Sequence, residues 1–278
     1  MDYFNYNGKI LAGGSPVIGA DNRGLRYGDG LFETMKMKAG RIVYEDEHFA
    51  RLWKGLQTLQ FELPRHFSPE LLQQQIHSLA KKNAHESFAR IRLNVFRGDG
   101  GLYDIKSHAP NYLLQTWALS PSYEAWNSNG LVPGIYTAAQ KNCDLLSNLK
   151  HNNYLPYVMA ALQAKKEKWN DAVLLNNHER ICDTTIANIF IIKDGIIFTP
   201  PLGEGCVAGV KRKMLIQELL QANWAVEEKA LSIDDLLSAD EVFLTNSLYQ
   251  LRWVQSIGSS VYQHATTRKI FAGLVQTI

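Results

Sequence analysis

Apolar side chains recur along this chain with two different periods, and each period predicts a type of element. Four segments carry apolar residues every three or four positions, which is the spacing of one helical face. They predict helices at residues 47–61, 68–83, 153–169 and 210–223. The second starts with Ser68 and Pro69, which suit an N-cap and a first helical position. In the third, the apolar positions are Leu155, Val158, Met159, Leu162 and Trp169.

Short runs of β-branched and aromatic residues alternate with turn residues, which predicts strands joined by hairpins. Asn7-Gly8, Ala39-Gly40 and Asp194-Gly195 each separate two such runs, and residues 176–178 form a fourth predicted turn. Two further strands, 90–96 and 112–119, flank a glycine-rich loop. Hairpins join antiparallel strands, so we expect antiparallel or mixed sheets rather than a series of βαβ units. The predicted fold class is α/β (α+β), with helices packed on these sheets.

A polar, proline-containing stretch separates two patterned regions of the chain. We therefore predict a smaller N-terminal α/β domain at 1–118, an interdomain linker at 119–127 and a larger C-terminal domain at 128–278. With 278 residues, the chain is long enough for two domains that each bury a core.

Composition and charge narrow the class of partner. The chain carries 29 basic and 27 acidic side chains, a net charge of +2, whereas nucleic acids and anionic membranes favour a concentrated basic surface. We expect neither as a partner. The three cysteines lack disulfide or zinc-site spacing, and the N-terminus shows no signal peptide. These features predict a soluble cytoplasmic protein without a metal.

Two segments combine charged residues with an unusual local environment. Residues 21–34 place three glycines among charges directly before a strand, which favours a sharp turn or a close approach to a ligand. Residues 147–154 place Lys150 among asparagines at a strand-to-helix junction. A partly desolvated lysine there would have a lowered pKa and could attack a carbonyl. Taken alone, a surface loop and a solvated lysine are the commoner explanations of these two segments.

Two later segments suggest partners for a charged ligand. Asp183 interrupts a strand-like run, where a buried carboxylate needs a partner such as a protonated pyridine ring. Residues 207–212 place a glycine and two basic residues at a helix start, where exposed N–H groups favour phosphate. An edge-strand carboxylate and an ordinary first turn are the alternatives.

Together, and in this order, these segments resemble the class IV aminotransferase family, the fold-type IV pyridoxal-phosphate enzymes. The resemblance runs from Asn7-Gly8 to about Ile257 and rests mainly on residues 27–34, 48–52, 149–154 and 240–247. It implies an enzyme of two α/β domains, with pyridoxal 5'-phosphate in the cleft between them. It also implies a homodimer that acts on a small molecule.

The resemblance assigns roles to particular positions. Lys150 matches the lysine that holds the cofactor as a Schiff base and moves protons at the substrate carbon. Arg51 matches the arginine that grips the cofactor phosphate, a pairing that suits guanidinium geometry. The backbone amides of Gly209, Val210 and Lys211 match the helix start that completes the phosphate cup. Ser247 matches a hydroxyl that also binds phosphate.

This chain departs from the family pattern at two of these positions. Asp183 stands where the family usually has a glutamate facing the pyridine nitrogen, five residues before Asn188. The rival carboxylate, Glu179, is closer to a predicted turn, so we favour Asp183. Lys211 replaces a threonine, which removes a hydroxyl but leaves the backbone amides.

Within the family, three segments are similar to the lyases that act on 4-amino-4-deoxychorismate. They are residues 28–34, 96–103 and 245–248. We therefore expect a lyase that releases 4-aminobenzoate and pyruvate in folate precursor synthesis, with Thr34 helping Lys150 to relay a proton. Residues 252–254 depart from the lyase pattern. The alternatives are an aminotransferase acting on branched-chain or D-amino acids and a cofactor-free binding relative.

Arginines are the candidates for binding a substrate carboxylate. The first choice is Arg97, in the glycine-rich loop that resembles the lyases, although a bond to a loop carbonyl would explain this arginine equally well. Tyr27 and Arg26 are further substrate-contact candidates, and Arg252 is a weaker alternative.

Overall fold

The computed structural model describes residues 2–275, and the chain divides into two compact units. The first comprises Met1–Tyr123 together with Leu149–Asn153, and the second comprises Glu124–Asn148 together with Tyr154–Ile278. The return of Leu149–Asn153 to the first unit was not predicted. It places Lys150 in a different unit from the residues that flank this segment in sequence.

The first unit is built on a six-stranded sheet whose neighbouring strands are all antiparallel. Its strands are β1 (Tyr3–Tyr6), β2 (Lys9–Ala12), β3 (Gly30–Lys38), β4 (Arg41–Ile42), β5 (Phe88–Arg97) and β6 (Pro110–Ala118), in the order β2-β1-β6-β5-β3-β4. Its helices are α1 (Arg23–Tyr27), α2 (Glu45–Thr58) and α3 (Pro69–Lys82).

Alternation along β5 shows how this sheet is covered. Ala89, Ile91, Leu93 and Val95 are buried in the core formed with α2 and α3. Arg90, Arg92 and Asn94 point to the opposite face, because successive side chains of a strand lie on opposite sides. One sheet face is therefore apolar and covered by helices, whereas the other carries polar and cationic groups.

The second unit contains three sheets and four helices among the described residues. Its strands are β7 (Gly134–Lys141), β8 (Ala172–Asn176), β9 (Ile181–Thr184), β10 (Asn188–Lys193), β11 (Ile196–Thr199), β12 (Val226–Glu228), β13 (Glu241–Asn246), β14 (Gln250–Val254), β15 (Ser256–Ile257) and β16 (Ser260–Val261). Its helices are α4 (Leu155–Glu167), α5 (Val210–Gln221), α6 (Ile233–Leu237) and α7 (Ala265–Ile270). β12-β11-β10-β13-β14 form a mixed sheet and β7-β8-β9 a smaller one, which confirms the predicted fold class.

The three predicted two-residue hairpins are confirmed. Asn7-Gly8 joins β1 to β2, Ala39-Gly40 joins β3 to β4, and Asp194-Gly195 joins β10 to β11. Both residues of each turn have positive φ, between 49° and 87°. This conformation matches the twist of the flanking strands and favours Asn, Asp and Gly.

The predicted helices are present with shifted ends. α2 ends at Thr58 rather than at 61, because the chain turns at Gln60, whose φ is 57°. The apolar positions predicted for the third helix do not face the core of its unit: Leu155, Val158, Met159 and Leu162 are exposed. α4 instead buries Tyr157, Ala160 and Ala164. Within residues 2–275, no helix has the length and apolarity required to cross a bilayer.

Candidate active site

The segment Leu149–Asn153 adds to the open edge at the start of β3. The Phe32 N–H donates to the Lys150 carbonyl at 2.8 Å, and the Asn152 N–H donates to the Gly30 carbonyl at 2.9 Å. The Lys150 ammonium lies over the Phe32 ring, 4.5 Å from its centroid, and the side chain is half-buried. Backbone pairing and the aromatic ring therefore fix the position of the candidate reactive amine.

Two of the three glycines of residues 21–34, Gly28 and Gly30, make room for this segment of the chain itself. A Cβ on Gly30 would lie 2.3 Å from the Val95 carbonyl oxygen and 2.8 Å from Asn152 Nδ2. Gly28 ends α1 with a φ of 63°, and a Cβ there would meet Asn153 Oδ1 at 2.5 Å. These glycines are thus explained by the approach of the segment that carries Lys150.

A buried ion pair lies on the helix-covered face of β3. Glu33 accepts from Arg51 Nε at 2.8 Å and Nη2 at 2.5 Å, and its Oε2 lies 2.7 Å from His48 Nδ1. His48 and Arg51 are three residues apart on α2 and hence share one face. Two of the five N–H donors of Arg51 are thereby directed at Glu33, which fixes the plane of the guanidinium.

The charges in this cluster shift two pKa values in a defined direction. Burial alone would raise the pKa of Glu33, but the Arg51 charge and the His48 hydrogen bond outweigh it and lower the pKa to about 2. Burial lowers the pKa of His48, which opposes its protonation. A neutral His48 that donates from Nδ1 to Glu33 leaves Nε2 as an acceptor, and Nε2 has no hydrogen-bond partner among the described residues.

The uncovered face of the sheet carries a second cation that lies over the Phe32 ring. The Arg92 guanidinium lies over the Phe32 ring, with Cζ 4.1 Å from the centroid. Thr34 pairs with Arg92 across β3 and β5 and shares the strand face of Phe32. This face therefore gathers Lys150, Phe32, Thr34 and Arg92, of which the sequence predicted two as site residues.

The predicted substrate arginine, Arg97, is held in contacts of its own. It is buried, donates from Nη1 to Asp29 at 2.7 Å and from Nη2 to the Leu59 carbonyl, and covers the Phe61 ring. Arg23 donates to the other oxygen of Asp29 at 2.8 Å. The motif carboxylate Asp29 thus links β5 to α1 through two arginines.

The other substrate candidates are more exposed. Arg26 pairs with Asp21 at 3.4 Å and lies over the Tyr27 ring, 5.4 Å from its centroid. Arg252, on β14 of the second unit, donates to the Ala125 carbonyl at 2.6 Å. The structure places neither Arg26 nor Arg97 against the Phe32 ring that carries Lys150.

Asp183 occupies a buried pocket of the second unit. Its Oδ2 accepts from the Tyr157 hydroxyl at 2.9 Å and from the Val207 N–H at 3.0 Å, and it lies 3.4 Å from Lys141 Nζ. Its Oδ1 is buried and has no hydrogen-bond partner in the part of the chain that the structure describes. Glu179, by contrast, is exposed in the turn before β9.

The start of α5 provides a helix N-terminus that no side chain caps. A Cβ on its N-cap residue, Gly209, would lie 1.9 Å from Asn188 Oδ1, so only glycine fits beside this amide. The Lys211 ammonium is buried and pairs with Glu218 at 3.0 Å, along the helix. Ser247 lies in the turn after β13, and Thr245 Oγ1 nearby in sequence is buried without a hydrogen-bond partner among the described residues.

Five residues of these clusters were missed in the sequence: Glu33, His48, Arg92, Lys141 and Tyr157. One signal was available, because Glu33 interrupts an apolar strand in the same way as Asp183. The pair His48 and Arg51, at helical spacing, was a second. Lys141 and Tyr157 come together only through the tertiary fold. Among residues 2–275, no group of three or more His, Cys, Asp or Glu side chains is arranged to hold a metal ion.

Comparison with known proteins gives consistent results over most of the chain. The sequence model of the amino-transferase class IV family matches residues 30–257. The chain is 31% identical over 240 residues to an aminodeoxychorismate lyase of Vibrio harveyi, a match that covers 86% of each protein. It is 27% identical over 264 residues to a D-alanine aminotransferase of Bacillus licheniformis, covering 91% of this chain and 87% of the relative.

A solved structure shows the same fold. The branched-chain aminotransferase of Thermoproteus uzoniensis has a TM-score of 0.88 against this chain at 20% identity, with 97% of this chain and 92% of the other covered.

Proposed function

This chain belongs to the class IV aminotransferase family, and on that premise we propose that it is a lyase that converts 4-amino-4-deoxychorismate to 4-aminobenzoate and pyruvate. Like its relatives, it is a pyridoxal-phosphate-dependent enzyme. The observation that carries the choice of lyase is the shared sheet face of Thr34 and Phe32, because the Phe32 ring supports the Lys150 amine. The similarity to the Vibrio harveyi lyase supports it.

The residues present suit this cofactor. The buried Oδ1 of Asp183 has no hydrogen-bond partner within residues 2–275, and a protonated ring nitrogen would supply one. The uncapped start of α5, with Gly209 where no Cβ fits, suits a phosphate that needs close backbone approach. Arg51, held in plane by Glu33, suits the same group.

We therefore assign roles within each unit. In the first unit, Lys150 holds the cofactor aldehyde and Arg51 binds its phosphate. In the second, Asp183 faces the ring nitrogen, the backbone amides of Gly209, Val210 and Lys211 hold the phosphate, and the Ser247 hydroxyl donates to it. The Lys211 side chain has no part in this assignment, because it pairs with Glu218.

The proposed reaction is an elimination. When bound, the cofactor supplies an electron sink for the carbon that bears the substrate amine. The Lys150 amine removes the proton from that carbon, and the bond between the neighbouring ring carbon and the enolpyruvyl oxygen breaks. Thr34 relays a proton to the departing enolpyruvate, which becomes pyruvate. The ring that remains is aromatic 4-aminobenzoate, so the step is strongly favourable.

The rival candidate is an aminotransferase, which the similarity to a D-alanine aminotransferase favours. It would use the same Lys150 amine but return the proton to the cofactor rather than expel a leaving group. The sheet face with Lys150 and Arg92 also suits the carboxylate of a simple amino acid.

A paired assay separates the two reactions. Purified holoenzyme is given 4-amino-4-deoxychorismate, with pyruvate followed by a coupled dehydrogenase and 4-aminobenzoate by fluorescence. In parallel it is given L- and D-amino acids with 2-oxoglutarate. We expect equal amounts of the two lyase products and slow or absent amino-group transfer. Rapid transfer from an amino acid without pyruvate release would reject the lyase in favour of the aminotransferase.

We further propose a cytoplasmic homodimer. The exposed face of α4 presents Leu155, Val158, Met159 and Leu162 at the spacing of one helical face, and their exposed fractions are between 45% and 71%. A contiguous apolar stripe of this kind favours burial against a second copy. The three cysteines are all free thiols, as a reducing compartment would keep them.

A further inference from the structure

Three side chains of the second unit form a buried cluster, and only Asp183 among them has a role in the proposed reaction. Lys141 ends β7, Tyr157 lies on α4 and Asp183 lies on β9. All three are less than a tenth exposed. A buried charge requires a partner, so a lysine and an aspartate placed together here are paired rather than solvated.

The donors around Asp183 all converge on one of its oxygens. Tyr157, the Val207 N–H and Lys141 approach Oδ2, whereas Oδ1 has no hydrogen-bond partner among residues 2–275. A carboxylate held at one oxygen cannot rotate freely. Oδ1 is thereby kept pointing in one direction as an available acceptor.

Lys141 is itself fixed by groups other than Asp183. Its ammonium donates to the Gly205 carbonyl at 2.6 Å and to the Tyr157 hydroxyl. Gly205 has a φ of 81°, and a Cβ there would lie 2.4 Å from the Asn142 carbonyl oxygen. The Gly205 carbonyl that accepts from Lys141 thus belongs to a backbone conformation that requires glycine.

The neighbouring titratable groups leave Lys141 as the charge that balances Asp183. Burial raises the pKa of Tyr157 well above its usual value, and burial also raises the pKa of the Cys206 thiol to about 12. The pKa of Cys182, on β9, rises for the same reason. Burial alone would lower the pKa of Lys141, but the Asp183 charge outweighs it and raises that pKa. Lys141 is therefore the cation that faces the Asp183 carboxylate.

We propose that Lys141 is a positioning residue that keeps the proton shared between Asp183 and the cofactor on the ring nitrogen. This rests on the proposed assignment of Asp183 to that nitrogen. A cation 3.4 Å from Oδ2 disfavours a proton on this carboxylate. The shared proton is thereby driven away from the carboxylate.

The test is ¹⁵N NMR of holoenzyme loaded with ring-¹⁵N-labelled pyridoxal phosphate. In the wild type we expect the chemical shift of a protonated pyridine. Lys141→Met removes both the charge and the hydrogen bonds, and Lys141→Gln removes the charge but keeps a donor. Both should move the chemical shift toward that of a neutral pyridine, whereas Lys141→Arg, which keeps the charge, should retain the wild-type shift. Lys193→Met, which removes an exposed lysine of the same unit, is the matched control and should change nothing.

Several outcomes would overturn the proposal. A neutral ring nitrogen in the wild-type enzyme would do so before any variant is made. So would an unchanged signal in Lys141→Gln, which serves if Lys141→Met does not fold. This readout does not depend on which reaction is catalysed. If the wild type releases no pyruvate but the ¹⁵N shift of Lys141→Gln differs from that of the wild type, the lyase is rejected and the role of Lys141 stands.

Discussion

Lys150 and Arg92 rest on the same aromatic ring. The Lys150 ammonium lies 4.5 Å and the Arg92 Cζ 4.1 Å from the centroid of Phe32. A cation on an aromatic face is stabilised by the ring quadrupole, so Phe32 helps to hold both groups in place. The Arg92 guanidinium is therefore a candidate for binding a carboxylate of the substrate.

This relationship predicts different defects for two arginines of β5. Arg92→Met should raise KM for 4-amino-4-deoxychorismate by about tenfold or more, because a charge-assisted hydrogen bond to a carboxylate is lost. Arg97→Met should instead lower stability by about 3 kcal/mol, because it removes a buried guanidinium and leaves the largely covered Asp29 carboxylate with one partner fewer. Steady-state kinetics and urea unfolding separate these effects. A KM defect confined to the Arg97 variant would restore Arg97 as the substrate ligand.

Glu33 should make the free energy of unfolding fall as the pH is lowered through the acid range. Its pKa falls from 4.5 to about 2 on folding, so its stabilising contribution is present above pH 4.5 and is lost as the pH falls toward 2. Glu33→Gln should lower the free energy of unfolding at pH 7 by about 2–4 kcal/mol and flatten this part of the pH profile. Asp46→Asn, at an exposed position of the same helix, is the control. Parallel profiles for wild type and Glu33→Gln would contradict the prediction.

Gly209 should be required for cofactor binding. In Gly209→Ala, the new Cβ would lie 1.9 Å from Asn188 Oδ1, so the start of α5 must shift away from its present position. We expect the Kd for pyridoxal phosphate to rise by about tenfold, measured by fluorescence titration. Gly203→Ala serves as the control, since a Cβ there meets nothing within 4 Å. Equal affinities in the two variants would remove the phosphate role from this helix start.

The exposed stripe of α4 should govern assembly. A double variant, Leu155→Glu and Leu162→Glu, places charges where the proposed partner packs and should yield monomers in sedimentation velocity. Val261→Glu changes a side chain that is just as exposed but lies in β16, and it should remain dimeric. A monomeric wild type, or a double variant that still dimerises, would reject the proposed interface.

The parts of this fold that depend on local conformation could be predicted from the sequence. The hairpins at Asn7-Gly8 and Asp194-Gly195 require positive φ at two consecutive residues, and Asn-Gly and Asp-Gly are the residue pairs that favour this conformation. Helices with a polar and an apolar face are equally visible. The face of α4 was different, because its exposed leucines show the same spacing as a buried face. The spacing of apolar residues along a helix therefore does not show whether they face the core of the same chain or the surface.

The sequence could predict the site residues that lie in recognisable segments, but not those that come together only in the tertiary fold. Lys150 and Thr34 stand in recognisable segments, but the contact of Lys150 with the strand of Thr34 depends on Leu149–Asn153 returning to β3 across more than a hundred residues. Nothing in the sequence near Arg92 distinguishes it from Arg90 or Arg97, since all three lie on one strand. What separates them is which partner each one meets in the fold: Arg92 lies over the ring that also carries Lys150, whereas Arg97 pairs with Asp29.

The most direct test of the central claim is to find the lysine that bonds to the cofactor. Holoenzyme is reduced with borohydride and digested, and the labelled peptide is identified by mass spectrometry. We expect the phosphopyridoxyl group on Lys150, with no label and no turnover in Lys150→Ala. A label on another lysine, such as Lys141 or Lys211, or full labelling and turnover in Lys150→Ala, would contradict the account.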